Sequence, residues 1–349
     1  METAFAEARR VKGKTLPNPP VGAVLVKNGR IVGKGGTRPA GQAHAEIVAL
    51  EQAGGMASGS TLYVTLEPCR HYGKTPPCTR ALIAAGVKRV VASCTDPNLE
   101  MAGQGFAELR RAGVQVETGL LEEPIREFYE GFFFFVVHGR PKIVLKIAQS
   151  LDGRINARPG IETRITGKES QIFSHALRAK ADAVLIGGRT LRSDDPLLTP
   201  RLTQGAMPEA LVLTKKRDFR LYSDYALFSR QRRSRTVVLT PFRQAQGLPS
   251  WVDLASLPKS RGDKGLTGSL LEIFKERGYH YVLVEGGRSV WHPFLNVGLC
   301  DALYLFTGPK LLPKGQRWDE NLSPGWAKTL EFHRFIRFES DVLTEFRRA

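Results

Sequence analysis

Three residues in the early part of the chain could bind a metal ion, and a fourth could move protons beside it. The possible ligands are His44, Cys69 and Cys78, and Glu46 follows His44 by two residues. One imidazole and two thiolates leave the fourth position of a tetrahedral Zn²⁺ open, which is typical of a catalytic zinc. Water in such a position loses a proton at about pH 7 and becomes a nucleophile. The residues therefore predict one catalytic zinc per chain, with Glu46 handling protons without ligating the metal.

The order His-x-Glu, Pro-Cys and a second Cys is the arrangement that zinc deaminases of nucleobases use. Two residues usually separate the cysteines, whereas here Cys69 and Cys78 enclose a longer loop. Each part alone is a weak signal, because a lone His is usually a hydrogen-bonded core or surface residue and buried thiols are mostly inert. Together, the parts predict a hydrolytic deaminase with an enlarged loop between two ligands.

Short alternating elements surround these residues. Asn28-Gly29 between two apolar runs predicts a β-hairpin over residues 21–34. Helices over 45–53, 79–85 and 106–112 then alternate with strands over 61–66, 87–93 and 114–117. This order implies a layered sheet with helices packed on it. His44 and Cys78 would lie at helix N-termini, where the helix dipole favours a thiolate.

A break in the chain predicts the domain boundary. The alternating pattern loosens after Gly119, and Gly139-Arg140-Pro141 interrupts the chain, so we expect domains of residues 1–140 and 141–349. Between these points the block Phe128–Val137 contains four consecutive Phe. Four such residues cannot share one face of a helix. The block therefore predicts a strand buried on both faces, or a domain interface.

The second half also reads as alternating strands and helices. Strands are predicted over 142–148, 183–186, 211–214, 236–240 and 281–284, and the stretch 256–268 is predicted to be a mobile surface loop. Thr166 and Glu169 predict a capping box for a helix that ends near Ala181. Gly286-Gly287 predicts a turn whose backbone N–H groups can approach a phosphate, although the complete dinucleotide fingerprint is absent.

Length and composition indicate a globular protein of about two domains. The chain has 349 residues and four Cys, too few for a disulfide framework, so we expect a reducing, cytoplasmic location. The first ten residues predict an amphipathic helix without a signal-peptide core. The longest apolar run, residues 132–137, is far shorter than the ~20 residues that a membrane span needs, so no membrane partner is expected.

The strong positive charge has three interpretations. A net charge of +17 fits a nucleic-acid partner, a solvated basic surface or phosphate-bearing small substrates. Basic runs occur at residues 215–217 and 230–235, but no aromatic residues alternate with them. A platform that stacks single-stranded bases is therefore not indicated.

The motifs together resemble one family from end to end, the bifunctional riboflavin-biosynthesis deaminase/reductases. In the first half they are Pro17-Asn18-Pro19, His44-Ala45-Glu46, the run from Thr65 to Cys78, and Asp96-Pro97-Asn98. In the second half they are the run from Ser150 to Arg154, the run from Gly187 to Arg201, and Val284-Glu285-Gly286-Gly287. The enlarged cysteine loop is normal for this family. The resemblance implies a cytidine-deaminase-like three-layer α/β/α domain followed by a dihydrofolate-reductase-like α/β domain.

The resemblance also implies two successive reactions. The first domain would deaminate 2,5-diamino-6-ribosylamino-4(3H)-pyrimidinone 5′-phosphate with the help of zinc. The second would use NADPH to reduce the ribosyl chain of the resulting 5-amino-6-(5-phosphoribosylamino)uracil to ribityl. Both substrates carry a phosphate, which fits the basic charge better than nucleic acid does. Family members self-associate, so we expect a homo-oligomer, a dimer or tetramer.

Residue roles follow from the same resemblance. The deaminase substrate would be bound by Asn18, His71, Lys74, Asp96 and Asn98. The NADPH site would comprise Ala148, Arg164, Thr190, Asp194, Gly286, Gly287, Arg288 and Ser289. The reductase substrate would be bound by Lys146, Glu162, Leu198, Arg201 and Glu285, with Lys146 and Glu285 placing charge at the reacting centre.

Three positions depart from the family pattern. Thr37 stands where many relatives have a substrate-contacting His, and because its hydroxyl can still hydrogen-bond we expect an altered contact. Glu162 and Arg164 also differ in type from the residues of relatives.

Two alternatives remain open at this point. One is a nucleic-acid (tRNA) base deaminase with a basic, RNA-binding C-terminal half, although no RNA-binding motif is visible. The other is a chain of the same fold that has lost one activity and acts as a scaffold.

Overall fold

The computed structural model describes residues 1–73, 76–158, 163–229, 235–258, 261–323 and 325–348. Lys74, Glu162 and residues 230–234 of the second basic run lie outside the described residues. The chain divides into two compact units, Met1–Arg140 and Pro141–Ala349.

The described part of the first unit contains one sheet of five strands in the order β2-β1-β3-β4-β5. The strands are β1 (Gly22–Lys27), β2 (Arg30–Gly36), β3 (Thr61–Leu66), β4 (Arg89–Cys94) and β5 (Gln115–Thr118). β1 is antiparallel to β2 and β3, and β3, β4 and β5 are parallel. Asn28 and Gly29 both have positive φ, as the predicted type I′ hairpin requires.

Helices cover both faces of this sheet. They are α1 (Glu2–Val11), α2 (Ala45–Ala53), α3 (Cys78–Ala84), α4 (Gln104–Arg111), α5 (Glu122–Phe128) and α6 (Glu130–His138), with a 3₁₀ turn at Gly54–Ala57. A Cβ on Gly36 would meet Val11 of α1, and a Cβ on the preceding Gly35 would meet Val48 of α2. Because successive strand residues face opposite sides, α1 and α2 lie on opposite faces of the sheet. The unit therefore has three layers.

The aromatic block was wrongly predicted as a strand. Phe128 is the last residue of α5, and the four consecutive Phe lie in α6, which ends where Gly139 adopts a left-handed conformation. Phe132 and Phe133 pack against the core, and the ring of Phe133 stacks on that of Tyr129 with a centroid distance of 5.8 Å. The four Phe are spread around the helix, and only part of that surface contacts the core, so a helix needs no single apolar face here.

The described part of the second unit contains a sheet of nine strands in the order β10-β9-β8-β7-β11-β6-β12-β14-β13. The strands are β6 (Lys142–Ser150), β7 (Ala183–Gly187), β8 (Glu209–Leu213), β9 (Thr236–Thr240), β10 (Val252–Ser256), β11 (Tyr281–Val284), β12 (Ala302–Gly308), β13 (Leu330–Arg337) and β14 (Val342–Arg348). The strands from β10 to β12 in this order are parallel, and β14 and β13 are antiparallel additions. β7 and β11 are buried along their whole length, as expected for central parallel strands.

In the part of this unit that the structure describes, four helices accompany the sheet: α7 (Lys168–Lys180), α8 (Gly188–Asp194), α9 (Gly262–Glu276) and α10 (Arg288–Asn296). Shorter 3₁₀ segments lie at Arg220–Tyr222, Ala226–Phe228 and Trp326–Thr329. The surface loop predicted over 256–268 was wrong, because β10 extends to Ser256 and α9 begins at Gly262. Leu270 and Phe274 of α9 are fully buried, so tertiary packing outweighs the weak helix propensity of the glycines at its start.

The predicted capping box of α7 was also wrong. The helix begins at Lys168 after Gly167, and no neighbouring side chain caps it. Instead, Asp341 Oδ2 accepts hydrogen bonds from the Gly167 N–H at 2.6 Å and the Ser170 hydroxyl at 2.7 Å. Glu169 accepts the N–H of Glu339 at 2.7 Å. A distant carboxylate therefore binds the start of α7, where the local motif predicted reciprocal bonds between Thr166 and Glu169.

Candidate active sites

The first site is formed where two helices begin beside the end of a strand. His44 is the residue immediately before α2, Cys78 is the first residue of α3, and Cys69 lies in the loop after β3. His44 Nδ1 is 3.5 Å from Cys69 Sγ and 3.4 Å from Cys78 Sγ. All three donor atoms lie within 4.8 Å of one another. The structure thus brings together the three ligands predicted from the sequence.

This geometry fits a tetrahedral zinc ion. Bonds of about 2.1 Å to nitrogen and 2.3 Å to sulfur require donors about 3.6 Å apart. A hydrogen bond from Cys78, together with His44, lowers the pKa of Cys69 to about 4, whereas the hydrogen bond to Cys69 and burial raise the pKa of Cys78. Cys69 therefore supplies a thiolate, the form that binds a cation.

Glu46 lies beside the donors in the first turn of α2 and is only 3% exposed. Burial, and next the negative charge of Cys69, raise the pKa of Glu46 to about 7. A carboxyl group with this pKa can both accept and donate a proton at neutral pH. The arrangement suits the proton-transfer role predicted for it.

Two of the residues predicted to bind the deaminase substrate lie in one turn after β4. The Asn98 N–H donates to Asp96 Oδ1 at 2.8 Å, and Asn98 is exposed. Burial raises the pKa of Asp96, and the charges of Glu67, His71 and Cys69 also act on it. Asp96 therefore lies within electrostatic range of His71 and of the ligand Cys69.

Asn18 and Thr37 lie on segments that flank β1 and β2. The Asn18 N–H donates to Thr15 O at 2.8 Å, and its side chain is half-buried. Thr37 is 4% exposed, and its hydroxyl accepts the Val21 N–H at 3.1 Å and donates to Val21 O at 3.4 Å. The Thr37 hydroxyl thus bonds to the backbone of Val21, and the altered substrate contact expected of it stays a prediction.

The second site is a cavity of about 490 Å³ in the second unit. Its walls come from β6, α7, the β7–α8 turn, the segment after α8, and the start of α10. Most residues predicted for cofactor and substrate line it, namely Lys146, Ala148, Arg164, Thr190, Asp194, Leu198, Arg201, Glu285, Gly287, Arg288 and Ser289. Gly286 lies in the adjoining turn, and Glu162 is outside the described residues.

Two glycine turns lie side by side at one edge of the sheet. β7 and β11 are parallel neighbours, and each ends in a turn that leads into a helix. A Cβ on Gly286 would lie 2.5 Å from the backbone nitrogen of Gly187, so only glycine allows this approach. The Gly287 N–H donates to Thr190 Oγ1 at 3.4 Å. Such turns at the carboxyl ends of strands are where α/β proteins bind nucleotide phosphates.

A buried ion pair between Arg178 and Glu285 forms part of the cavity wall. Arg178 donates to both oxygens of Glu285, with an Nε–Oε1 distance of 2.6 Å and an Nη2–Oε2 distance of 2.7 Å. Although burial opposes it, the charge of Arg178 lowers the pKa of Glu285. Burial lowers the pKa of Lys146, which lies near both partners. The pair holds Glu285 as a carboxylate beside a buried amine.

Arg178 and His175 were not predicted from the sequence. His175 lies one turn before Arg178 on α7, and its Nδ1 accepts the Leu202 N–H at 3.2 Å. Burial, followed by the charges of Arg178 and Arg201, lowers the pKa of His175 to about 4. The sequence showed only that these two residues lie on a polar face of a predicted helix. It did not indicate which strand that face would contact.

Comparison with known proteins assigns both halves of the chain. A family model of the cytidine and deoxycytidylate deaminase zinc-binding region matches residues 1–94, and a model of the RibD C-terminal domain matches residues 141–342. With the donor geometry above, these matches define the class: a zinc-dependent, cytidine-deaminase-like domain joined to a dihydrofolate-reductase-like domain. The predicted fold class is confirmed.

Full-length relatives carry the same pair of domains. Riboflavin biosynthesis protein RibD of Aquifex aeolicus is 40% identical over 328 residues, covering 90% of this chain and 87% of that protein. RibD of Escherichia coli K12 is 37% identical over 345 residues, covering 96% and 93%. A crystal structure of a diaminohydroxyphosphoribosylaminopyrimidine deaminase/5-amino-6-(5-phosphoribosylamino)uracil reductase from Thermotoga maritima is 34% identical, with a TM-score of 0.77 and coverage of 100% and 97%. The chain belongs to the RibD family of riboflavin biosynthesis proteins.

Membership confirms the function predicted from the sequence. The chain is a bifunctional deaminase and reductase of riboflavin biosynthesis that acts on small molecules, and its cofactors are zinc and NADPH. The alternative of an RNA-binding C-terminal half is not favoured, because that half matches the RibD C-terminal domain. None of the described helices has the length and apolar character needed to cross a bilayer.

Proposed function

We propose that the two units perform successive steps on one phosphorylated pyrimidine. Residues 1–140 would deaminate 2,5-diamino-6-ribosylamino-4(3H)-pyrimidinone 5′-phosphate, and residues 141–349 would reduce the ribosyl chain of the product, 5-amino-6-(5-phosphoribosylamino)uracil. The observation that carries the proposal is the convergence of His44, Cys69 and Cys78 beside a buried Glu46. The two activities of the Thermotoga maritima relative support the choice of substrates.

In the deaminase site, the protein's own groups bind the substrate and move protons. Zinc held by His44, Cys69 and Cys78 would supply an activated water molecule. Glu46 takes a proton from the attacking water and returns it to the departing amine, so that ammonia and a ring carbonyl result. Asn18 and His71 position the pyrimidine, Asp96 and Asn98 bind the ribose hydroxyls, and Lys74 binds the phosphate.

In the reductase site, the cavity orients cofactor and substrate. NADPH would supply the hydride that the reduction needs. The turns at Gly187 and Gly286 offer backbone N–H groups to its phosphates, with Ala148, Arg164, Thr190, Asp194, Gly287, Arg288 and Ser289 around them. Arg201, Leu198 and Glu162 hold the substrate, and Lys146 and Glu285 set the charge beside the carbon that is reduced.

The basic surface fits this assignment. Lysine and arginine serve phosphate-bearing small substrates as well as nucleic acid, so the net charge of +17 requires no nucleic-acid partner. We also propose a homo-oligomer, a dimer or tetramer. A reducing, cytoplasmic location belongs to the proposal because it keeps the thiols of Cys69 and Cys78 available for zinc.

A two-product assay tests the proposal. The purified chain is incubated with the diaminopyrimidine substrate, and ammonia is measured without and with NADPH. We expect one ammonia per substrate in both cases, and oxidation of one NADPH per substrate when it is present. The proposed function would be contradicted if the chain released ammonia from tRNA and did not oxidise NADPH in the presence of 5-amino-6-(5-phosphoribosylamino)uracil.

A further inference from the structure

Glu67 is a buried carboxylate between the loop that carries the metal ligand Cys69 and the segment that follows β4. It lies at the end of β3, two residues before the ligand Cys69, and is 7% exposed. Its own N–H donates to Cys94 O, the last residue of β4, at 2.9 Å. The side chain therefore stands between the metal-ligand loop and the segment that follows β4.

Four backbone N–H groups of that segment donate to this one side chain. Oε2 accepts from Asp96 at 3.1 Å and from Gly103 at 2.9 Å. Oε1 accepts from Gly105 at 2.8 Å and from Phe106 at 3.4 Å. Asp96 and Gly103 are the two ends of an otherwise partly exposed loop, so a single oxygen fixes both ends.

The contacts of Oε1 also cap α4. Gly105 and Phe106 belong to the first turn of that helix, whose N–H groups lack partners within the helix. A negative charge is favourable at this end of a helix dipole. The packing is close, because a Cβ on Gly105 would lie 2.3 Å from Pro68 O and 3.1 Å from Glu67 Oε1. The start of α4 is thus held against the loop that carries Cys69.

The turn of residues 96–98, which is predicted to bind the substrate, is held by the Glu67 carboxylate. The Asp96 N–H is bound by Glu67, and the Asp96 side chain in turn accepts the N–H of Asn98 at 2.8 Å. Displacing Glu67 would release Asp96 first and Asn98 with it. The metal donors have other supports: His44 and Cys78 lie at the starts of α2 and α3, and Cys69 O accepts the N–H of Thr79 in α3 at 3.2 Å, so the three donors should remain in place.

We propose that Glu67 is a positioning residue for deamination. It holds the Asp96–Asn98 turn at a fixed distance from the metal site and thereby sets the affinity for the ribose part of the substrate. This inference rests on the proposed function, in which Asp96 and Asn98 bind that ribose.

The test is Glu67→Gln, which keeps the size of the side chain but turns one acceptor oxygen into a donor. Two of the four N–H groups then lose their acceptor. We expect KM for the diaminopyrimidine to rise by about tenfold or more, with kcat changed by less than about threefold, one zinc retained per chain and NADPH oxidation on the aminouracil unchanged. The matched control is Glu117→Gln, which removes a surface ion pair with Arg89 (2.7 Å) in the same unit and should leave KM as in wild type.

A double-mutant cycle shows whether the effect passes through Asp96. Asp96→Ala alone should raise KM, and adding Glu67→Gln should raise it little further. The inference would be overturned if the two substitutions raised KM independently of each other. It would also be overturned if Glu67→Gln lost its zinc, since Glu67 would then act through Cys69. If Glu67→Gln does not fold, Glu67→Asp provides the second variant. Its shorter reach should give an intermediate rise in KM, and an unchanged KM would overturn the inference.

The two proposals fail differently. A wild-type chain that releases no ammonia from the diaminopyrimidine would refute the proposed function. A wild-type chain that does so, with KM raised by Asp96→Ala but unchanged by Glu67→Gln, would refute only the role of Glu67.

Discussion

Glu46 illustrates how burial adapts a common side chain to proton transfer. An exposed Glu has a pKa of about 4.3 and is fully ionised at neutral pH. Here the side chain is 3% exposed, and burial raises its pKa to about 7. The group can therefore hold or release a proton during one turnover. The cost of burying the carboxyl group is tolerated because function requires it at this position.

Replacing Glu46 by Gln should abolish deamination selectively. The amide keeps the size of the side chain but can neither take nor return the proton, so ammonia release should fall by about 10²- to 10⁴-fold. Zinc content should stay at the wild-type level. NADPH oxidation, measured with 5-amino-6-(5-phosphoribosylamino)uracil as the substrate, should also stay at the wild-type level. Loss of both activities would contradict the independence of the sites, and ammonia release within about threefold of wild type would contradict the role of Glu46.

His175 predicts a pH dependence in the stability of the second unit. Burial and the nearby Arg178, Arg201 and Lys146 hold its pKa at about 4, against an ordinary value of 6.5, although Glu285 opposes them. Between these values the unfolded chain binds a proton that the folded chain does not. The neutral His175 therefore contributes fully to the free energy of unfolding above about pH 6.5. This contribution is lost as the pH falls towards 4, by up to about 1.4 kcal/mol per pH unit.

His175→Gln checks this prediction. Glutamine can still accept the Leu202 N–H but does not titrate. Thermal unfolding of the second unit at pH 7 and pH 5 should show a smaller loss of stability on acidification in the variant than in wild type. The same loss in both proteins would mean that other groups account for the acid sensitivity.

At the residue scale, the sequence allowed the prediction of local motifs but not of distant partners. His44, Glu46, Cys69 and Cys78 could be predicted because a short pattern with known chemistry contains all of them. Arg178 and Glu285 could not be paired, because 107 residues separate them and only the packing of α7 near β11 brings them together. The bond between the Thr37 hydroxyl and the backbone of Val21 could not be predicted for a similar reason.

At the element scale, the two glycine turns fix the geometry of the reductase cavity. Gly286 approaches the backbone of Gly187 so closely that any side chain would displace one turn from the other. A Cβ on Gly287 would have open space, because the nearest atom, Thr190 Oγ1, would lie 3.9 Å away. Neither glycine has a positive φ, so the difference between them is purely steric.

Gly286→Ala and Gly287→Ala form a matched pair that tests this difference. Gly286→Ala should destabilise the second unit by about 1–3 kcal/mol, because the added methyl group overlaps the backbone of β7. Gly287→Ala should leave the stability nearly unchanged. Urea unfolding of both variants measures the effect. Equal stability of the two variants would contradict the close approach of the turns.

Elements with strong local signals were predicted well, and the exceptions have physical causes. The helix of Ala45–Ala53 and the strands Thr61–Leu66 and Tyr281–Val284 have the predicted bounds. The aromatic block and α9 were missed because contacts with the rest of the fold outweigh their local composition. At the start of α7 the Gly167 N–H is bound by Asp341, a contact that no local pattern indicates.

At the scale of the whole molecule, the two chemistries use separate sets of residues. The deaminase residues lie between Asn18 and Asn98, and the reductase cavity is lined by residues between Lys146 and Gln316. Each set belongs to one compact unit. Sequence alone could predict two activities because each unit carries its own motifs, and the separation predicts that either activity can be removed without the other.

Removing zinc should separate the two activities directly. Dialysis against a chelator should abolish ammonia release and leave NADPH oxidation with 5-amino-6-(5-phosphoribosylamino)uracil intact, because none of the three zinc donors, His44, Cys69 and Cys78, lines the reductase cavity. Adding back one equivalent of zinc should restore ammonia release. A parallel loss of NADPH oxidation would contradict the separation.

The most direct test of the central claim is to measure zinc content and ammonia release together in wild type, Cys78→Ala and Cys94→Ala. Cys94 is a buried thiol of the same unit that is not a metal donor, so it is the matched control. We predict one zinc per chain and full ammonia release for wild type and Cys94→Ala, and loss of both for Cys78→Ala, with NADPH oxidation unchanged throughout. Undiminished ammonia release from Cys78→Ala without bound zinc would contradict the account.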